Sequence, residues 1–330
     1  MSFTGTVPTR RLGPGGPEVP VFALGSWNIW DRMEPDARVA LIRRAAEVGA
    51  AFFDVASYNM GPHAEASRTD LYFGDAVREA GLGRDEYLVC GKLWLWEYPQ
   101  TGFAEQMQTS LERIGIEQAD TVVVGDYFGE IDIRRVVRDV QAEIDAGRFD
   151  SWGVNNWAAA DLELALDYAE AEGLTPPTFA QLKYGLVRRT MAEGEYYGRW
   201  FAEGRLALQA SDAFEGGILV GKTSPARKIG ADVGGIREQI VAAYPRVAEI
   251  AASFDATPAQ LGIAFCLANP ATANVLFGAS SVEQLDDDLG ALELLDRVGA
   301  DALREATAEL WLDRAVNADG TWAPVPAPAE

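Results

Sequence analysis

The chain has 330 residues, 48% of them hydrophobic and 24% charged, enough for a large core, and no apolar run nears the roughly 20 residues that cross a bilayer. Its formal net charge of −22 argues against nucleic acid or an anionic membrane as a partner, and any anionic cofactor must find a local basic pocket. The first ten residues lack the apolar core of a secretory signal, and the two cysteines, Cys90 and Cys266, lie far apart in apolar segments; a cytoplasmic protein with free thiols and no metal site is the expectation.

In chain order, residues 10–12 and 18–21 flank a Gly/Pro-rich turn at 13–17, the pattern of a hairpin. Short β-rich runs follow at 21–25, 51–55, 87–92, 121–125, 151–155, 178–182, 206–210 and 274–278. Amphipathic stretches run between them. Residues 35–48 set Val39, Ile42 and Ala46 on one face, and residues 131–146 set Ile133, Val136, Val137, Val140 and Ile144 in helical register. Strand–helix alternation with short connections implies a parallel sheet. Eight such units close into an α/β fold of the (β/α)8 TIM-barrel type, with an open doubly wound sheet as the alternative. The hairpin would cap the barrel bottom. Residues 212–269 are too many for one loop and helix, so an insertion is expected between the seventh and eighth barrel strands. Residues 1–317 read as a single domain, and the Pro/Ala-rich residues 318–330 as an extended or disordered tail.

Reacting groups in such barrels come from the C-terminal ends of the strands. Alternation puts Phe52 and Asp54 on one face of the second barrel strand, Cys90 and Lys92 on one face of the third, and Gly153 and Asn155 on one face of the fifth. With those faces inward, Asp54, Lys92 and Asn155 crowd the barrel mouth. A carboxylate beside a lysine favours both charged forms, and the ammonium would stabilise the phenolate of a nearby tyrosine. Trp27, Trp30, Trp94, Trp96 and Trp157 all follow strands and are expected to wall a substrate pocket.

The segments Phe53-Asp54-Val55-Ala56-Ser57-Tyr58, Leu88-Val89-Cys90-Gly91-Lys92 and Gly153-Val154-Asn155-Asn156-Trp157 resemble three aldo-keto reductase motifs in the right order. A fourth stretch, residues 278–288, is similar to the segment with which that family grips the adenosine half of NADP(H). Its wording, and that of Gly217-Ile218-Leu219-Val220-Gly221-Lys222, is nearest the branch holding potassium-channel beta subunits and bacterial sugar reductases. The resemblance spans residues 10–295 and implies an NADPH-dependent carbonyl reductase, or the reverse alcohol dehydrogenase, for a small or sugar-like substrate. Asp54 and Lys92 would be two members of the family's Asp-Tyr-Lys-His tetrad. Tyr58 arrives one residue before the family's tyrosine position, where Asn59 stands. Gly125, followed by Asp126, stands where the tetrad histidine closes the fourth strand. His63, the only histidine, lies in the loop after Tyr58 and is the candidate to replace it. Tyr58, its pKa lowered by Lys92 and its ring oriented by Asp54, would give its proton to the carbonyl oxygen.

For the cofactor, the resemblance implies a carboxamide site from Gln181 with Asn155 and Asn156, and adds Trp27 to the binding residues. Ser211, followed by Asp212, stands where an aromatic ring would stack on the nicotinamide. Ser280, Gln284 and Asp287 fit the adenosine clamp, with Asp288 replacing an asparagine. Lys222, Arg227 and Lys228 form the basic cluster that a 2′-phosphate or pyrophosphate requires, though they also read as a solvated turn. Two further readings stay open. The missing histidine and stacking aromatic suit a non-redox lyase, dehydratase or epimerase in which Tyr58, Lys92 and Asp54, with His63 or Asp126, move protons only. The third reading is a nucleotide-sensing subunit without catalysis.

Overall fold

The computed structural model describes residues 3–58, 67–125, 127, 129–225 and 229–321. Eight parallel strands close into a barrel: β3 (Phe22–Gly25), β4 (Phe52–Asp54), β5 (Leu88–Leu93), β6 (Thr121–Val124), β7 (Ser151–Asn155), β8 (Phe179–Lys183), β9 (Ala207–Ser211) and β10 (Thr272–Phe277). Each pairs with the next in sequence, and β10 pairs with β3 to close the ring. Ahead of them β1 (Thr9–Arg11) and β2 (Glu18–Pro20) form the expected antiparallel hairpin. It seals the barrel bottom closely. Gly13, at φ +79°, lies so near β8 that an added Cβ would sit 1.8 Å from the Thr178 carbonyl oxygen.

Helices α1 (Pro35–Glu47), α2 (Thr69–Ala80), α3 (Phe103–Ile114), α4 (Ile133–Asp145) and α5 (Ala159–Glu172) follow β3 to β7 in turn. Pro35 opens α1, and Asp132 caps α4 by accepting the Arg135 N–H. Alternation in the sequence does not announce the two short helices between β8 and β9, α6 (Thr190–Glu193) and α7 (Glu195–Ala202). The expected insertion after β9 holds a 3-10 turn at Glu215–Val220 and the helix α8 (Arg237–Ser253), before α9 (Pro258–Leu267) leads into β10. α10 (Val282–Val298) and α11 (Ala300–Ala306) close the fold. Residues 322–330 of the expected tail lie outside the described residues; before them, the Gly320 carbonyl accepts the Ala159 N–H at the start of α5. Among the described residues no single helix is long and apolar enough to cross a membrane.

The two faces of the strands sort their side chains. Outward residues such as Phe53, Val89, Val122 and Leu208 pack under the helices in one large cluster. Inward residues of the lower barrel, Ala23, Phe52, Cys90, Val123, Phe179 and Ala207, form a separate cluster with Leu12 and Val19 of the hairpin region. The next inward positions up the same strands are Asp54, Lys92, Gln181 and Gln209. That change of chemistry within one barrel interior places the site.

Candidate functional site

Asp54 closes β4 and Lys92 stands on β5, each less than a tenth exposed. Lys92 Nζ donates to Asp54 Oδ2 at 2.9 Å and to Gln181 Oε1 at 2.8 Å. Gln181 Nε2 donates to the same Asp54 oxygen at 2.9 Å and to Gln209 Oε1 at 2.6 Å. Asn155 Nδ2 reaches Gln181 Oε1 at 3.1 Å. Two buried charges are thus paired and hydrogen-bonded, as burial demands.

Of these groups Asp54, Lys92, Asn155 and Gln181 form the floor of a cavity of about 430 Å³ at the C-terminal mouth of the barrel. Tyr58, Trp27, Trp94 and Trp96 make one wall. Trp94 and Trp96 stack with ring centroids 4.4 Å apart, and Tyr58 lies 5.5 Å from Trp94 and 6.4 Å from Trp27. Trp30 and Trp157, expected in that wall, are not part of it. Trp30 is buried against Phe53 and Phe73, and Trp157 is buried with its indole N–H on the Gly125 carbonyl at 3.0 Å. At Gly125, where the resemblance implies a histidine, a Cβ would lie 2.8 Å from Trp94 Cε3, so the indole occupies the space beside this strand end.

Tyr58 corrects a second expectation. Its phenol is pushed well up, not down: burial acts first, then the charge of Asp54, while the Ser26 hydroxyl pulls the other way. The Lys92 ammonium that was to lower it is engaged with Asp54 and Gln181. His63, Asn59 and Asp126 lie outside the described residues, as do Arg227 and Lys228.

On the opposite side the structure adds residues that the sequence reading did not single out. Lys183 stands two positions after Gln181 on the same inward face, and its Nζ is 2.6 Å from Asp212 Oδ2 and 3.6 Å from Glu215. Arg188 ties Glu215 to Asp232. Burial alone would lower Lys183, but Asp212 and Glu215 outweigh it and raise it; burial raises Glu215. Lys183, Asp212 and Ser211 line the cavity. A signal was present: Lys183 lies one residue past the expected strand 178–182, and alternation carried on from Gln181 puts it on the inward face.

From this floor the cavity reaches Lys222 and Gln284, at the start of α10. Ser280 there gives its N–H to Gln284 Oε1 at 3.0 Å. Asp288 is buried in α10 with Oδ2 unpartnered among the described residues, and its carboxyl is pushed up to about 8 by burial first and Asp287 second, with Lys222 opposing. Asp287 turns instead to the N-terminus of α9, accepting from Thr257 Oγ1 at 3.0 Å and Gln260 Nε2 at 3.1 Å. Of the residues named from sequence, the structure therefore brings Trp27, Asp54, Tyr58, Lys92, Asn155, Asn156, Gln181, Ser211, Lys222 and Gln284 to one cavity. Ser280 and Asp288 sit beside it, and Asp287 faces away toward α9.

The aldo/keto reductase family model matches residues 22–305. The chain belongs to the aldo/keto reductase family. Among similar proteins, a putative voltage-gated potassium channel subunit beta of Schizosaccharomyces pombe is 26% identical over 91% of this chain and 92% of its own length. A thermostable aldo-keto reductase crystallised with the inhibitor epalrestat superposes with a TM-score of 0.70 at 21% identity, covering 91% of this chain and 99% of that one, a likeness of fold. Membership places this protein among oxidoreductases.

The family's nicotinamide dinucleotide can be tested against the residues present. At the α10 end they fit it: Lys222 offers a cation, and the orphaned Asp288 oxygen offers an acceptor to an exocyclic amino group. At the floor Asn155 and Asn156 line the cavity, whereas the Gln181 amide is already engaged.

Proposed function

We propose that this protein is an NADP(H)-dependent carbonyl–alcohol oxidoreductase acting on a small, sugar-like or aromatic-faced substrate. One observation carries the reading: the buried Asp54–Lys92 pair and the Tyr58 phenol line the same cavity that reaches Lys222 and Gln284. The dinucleotide, when bound, supplies the hydride. Asn155 and Asn156 would hold its carboxamide end, and Lys222, Ser280, Gln284 and Asp288 its adenosine and phosphate end. Tyr58, held protonated by burial and by Asp54, gives its proton to the substrate oxygen, a role suited to carbonyl reduction. The Lys92–Asp54 pair lines the same cavity as a fixed dipole, and the Trp27, Trp94 and Trp96 indoles would exclude water and orient the substrate. We assign His63 as a candidate second proton donor and Arg227 as a candidate phosphate ligand. The free buried Cys90 and Cys266 support a cytoplasmic setting.

The test is NADPH binding by fluorescence, followed by NADPH oxidation with a panel of aldehydes, for wild type and Tyr58→Phe. Loss of the phenolic proton should cost about 10²–10⁴-fold in turnover, and an unchanged rate would remove Tyr58 from the mechanism. A second reading, a lyase, dehydratase or epimerase that moves protons without a hydride, is favoured by the Lys183–Asp212 pair beside Ser211, the position where the family resemblance implies a stacking aromatic. No NADPH binding at millimolar concentration would select it. The fission-yeast relative is named as a channel subunit, which keeps open a third reading, a nucleotide-sensing subunit without catalysis; the buried Asp54–Lys92 pair supports chemistry instead.

A further inference from the structure

Below the cavity floor, two side chains of the barrel interior carry three polar atoms without partners among the described residues: Gln209 Nε2, Asn274 Nδ2 and Asn274 Oδ1. Both side chains are fully buried, and neither lines the cavity. They stand at paired positions on β9 and β10. A strand irregularity makes them neighbours. Thr272 pairs with Leu208 and Asn274 with Gln209, so Ala273 is an extra residue in the ladder. Ala273 packs in the inward cluster, and plain alternation from it would send Asn274 outward under the helices. With the extra residue, Asn274 faces inward beside Gln209, two positions before Leu276, which lines the cavity.

The Gln209 amide is not free to turn. The Lys92 ammonium can only donate, so Gln181 meets it with Oε1, at 2.8 Å. Gln181 Nε2 is then the atom that faces Gln209, which must accept with its own Oε1, at 2.6 Å. Gln209 Nε2 is left with N–H groups to satisfy inside the barrel, and Asn274 is the polar group at the paired position. The two heads stand at different heights, because the glutamine amide is one methylene farther from its backbone. The inward residues next to them on β9 and β10 are Ala207 and Ala273, whose methyl groups take up little of the interior.

We infer that a water molecule is bound inside the barrel between Gln209 and Asn274, sealed beneath the cavity floor. Water both accepts and donates, so it can take an N–H from Gln209 and serve either end of the Asn274 amide. A metal cation would face two NH2 groups and a single free oxygen. A chloride would accept from those groups but bring an unpaired charge into the core. The water holds the Gln209 amide from the side away from Gln181 and carries the polar network one strand further round the barrel, to β10.

The site does not depend on the reaction, so its test needs neither substrate nor cofactor. A high-resolution crystal structure of the wild-type chain should show an ordered water within about 2.7–3.2 Å of Gln209 Nε2 and of one Asn274 amide atom. In solution, oxygen-17 relaxation dispersion on the full-length protein should count at least one fewer long-lived water in the double variant Gln209→Leu, Asn274→Leu than in wild type. If that variant does not fold, the wild-type crystal decides alone. A direct hydrogen bond between Gln209 and Asn274, a halide found between them by bromide soaking, or an unchanged water count in the folded variant overturns the inference.

Discussion

Two layers of the barrel interior, one strand period apart, have opposite characters. On β4 the inward residues are Phe52 and then Asp54, on β5 Cys90 and then Lys92, on β8 Phe179 and then Gln181, on β9 Ala207 and then Gln209. The lower set packs as an apolar plug on the hairpin. The upper set is a hydrogen-bonded polar ring at the base of an open cavity. The lower layer can be judged by shape alone, because dispersion and burial decide it. In the upper layer hydrogen bonds link the side chains in sequence, so each constrains the next, although Gln209 Nε2 is left buried without a partner among the described residues. The barrel's stability and its chemistry are therefore carried by different rungs of the same strands.

The sharpest way to break that division is Lys92→Met. Turnover should fall by more than about 10³-fold, and stability should also drop, by about 3–5 kcal/mol, because Asp54 is left charged and buried without its partner. Activity near wild type with any substrate would take Lys92 out of the mechanism. One layer down, Phe52→Ala should cost about 3–5 kcal/mol in denaturant unfolding, while turnover per folded molecule stays within about threefold. A large loss of turnover there would show that the layers are not separable. At the cavity's far end, Lys222→Ala should cost about 1–3 kcal/mol of NADPH affinity in calorimetry, and added salt should weaken wild-type binding. Equal affinity of wild type for NADPH and NADH would make Lys222 a solvated turn residue.

The smallest effect concerns Asp288. A carboxyl raised in the folded chain favours the fold while protonated, and that contribution is lost as pH rises through its folded value, here about 8. Wild-type melting temperature should therefore carry a decline between about pH 4 and about pH 8 that levels off above it, and Asp288→Asn should flatten that decline. Parallel curves would mean that the carboxyl is not the group responsible.

Strand periodicity made much of this legible. A two-residue repeat states which side chains share a face, and it put Asp54, Lys92 and Asn155 at the mouth before any coordinates did. The same rule reached Lys183, had it been applied to β8. It does not extend past the strand ends, where no period governs a side chain. Trp27 and Trp30 follow the same strand three residues apart, yet one lines the cavity and the other fills the gap between Phe53 and Phe73. The direction of the Tyr58 shift was hidden for a related reason. It is set first by burial of the phenol and then by the charge of Asp54, and how deeply a residue after a strand end is buried follows no sequence period.

The indole of Trp94 over Gly125 constrains the order in which substitutions could accumulate. Histidine at position 125 cannot be accommodated while the large ring stays, since even its first side-chain carbon would meet Trp94 at 2.8 Å. A histidine there requires Trp94 to move or be shortened, which disturbs the stacked pair with Trp96 and the indole N–H bond to the Ser57 carbonyl. A paired Trp94 and Gly125 replacement, not a single one, is therefore the practical route for placing an imidazole at this strand end.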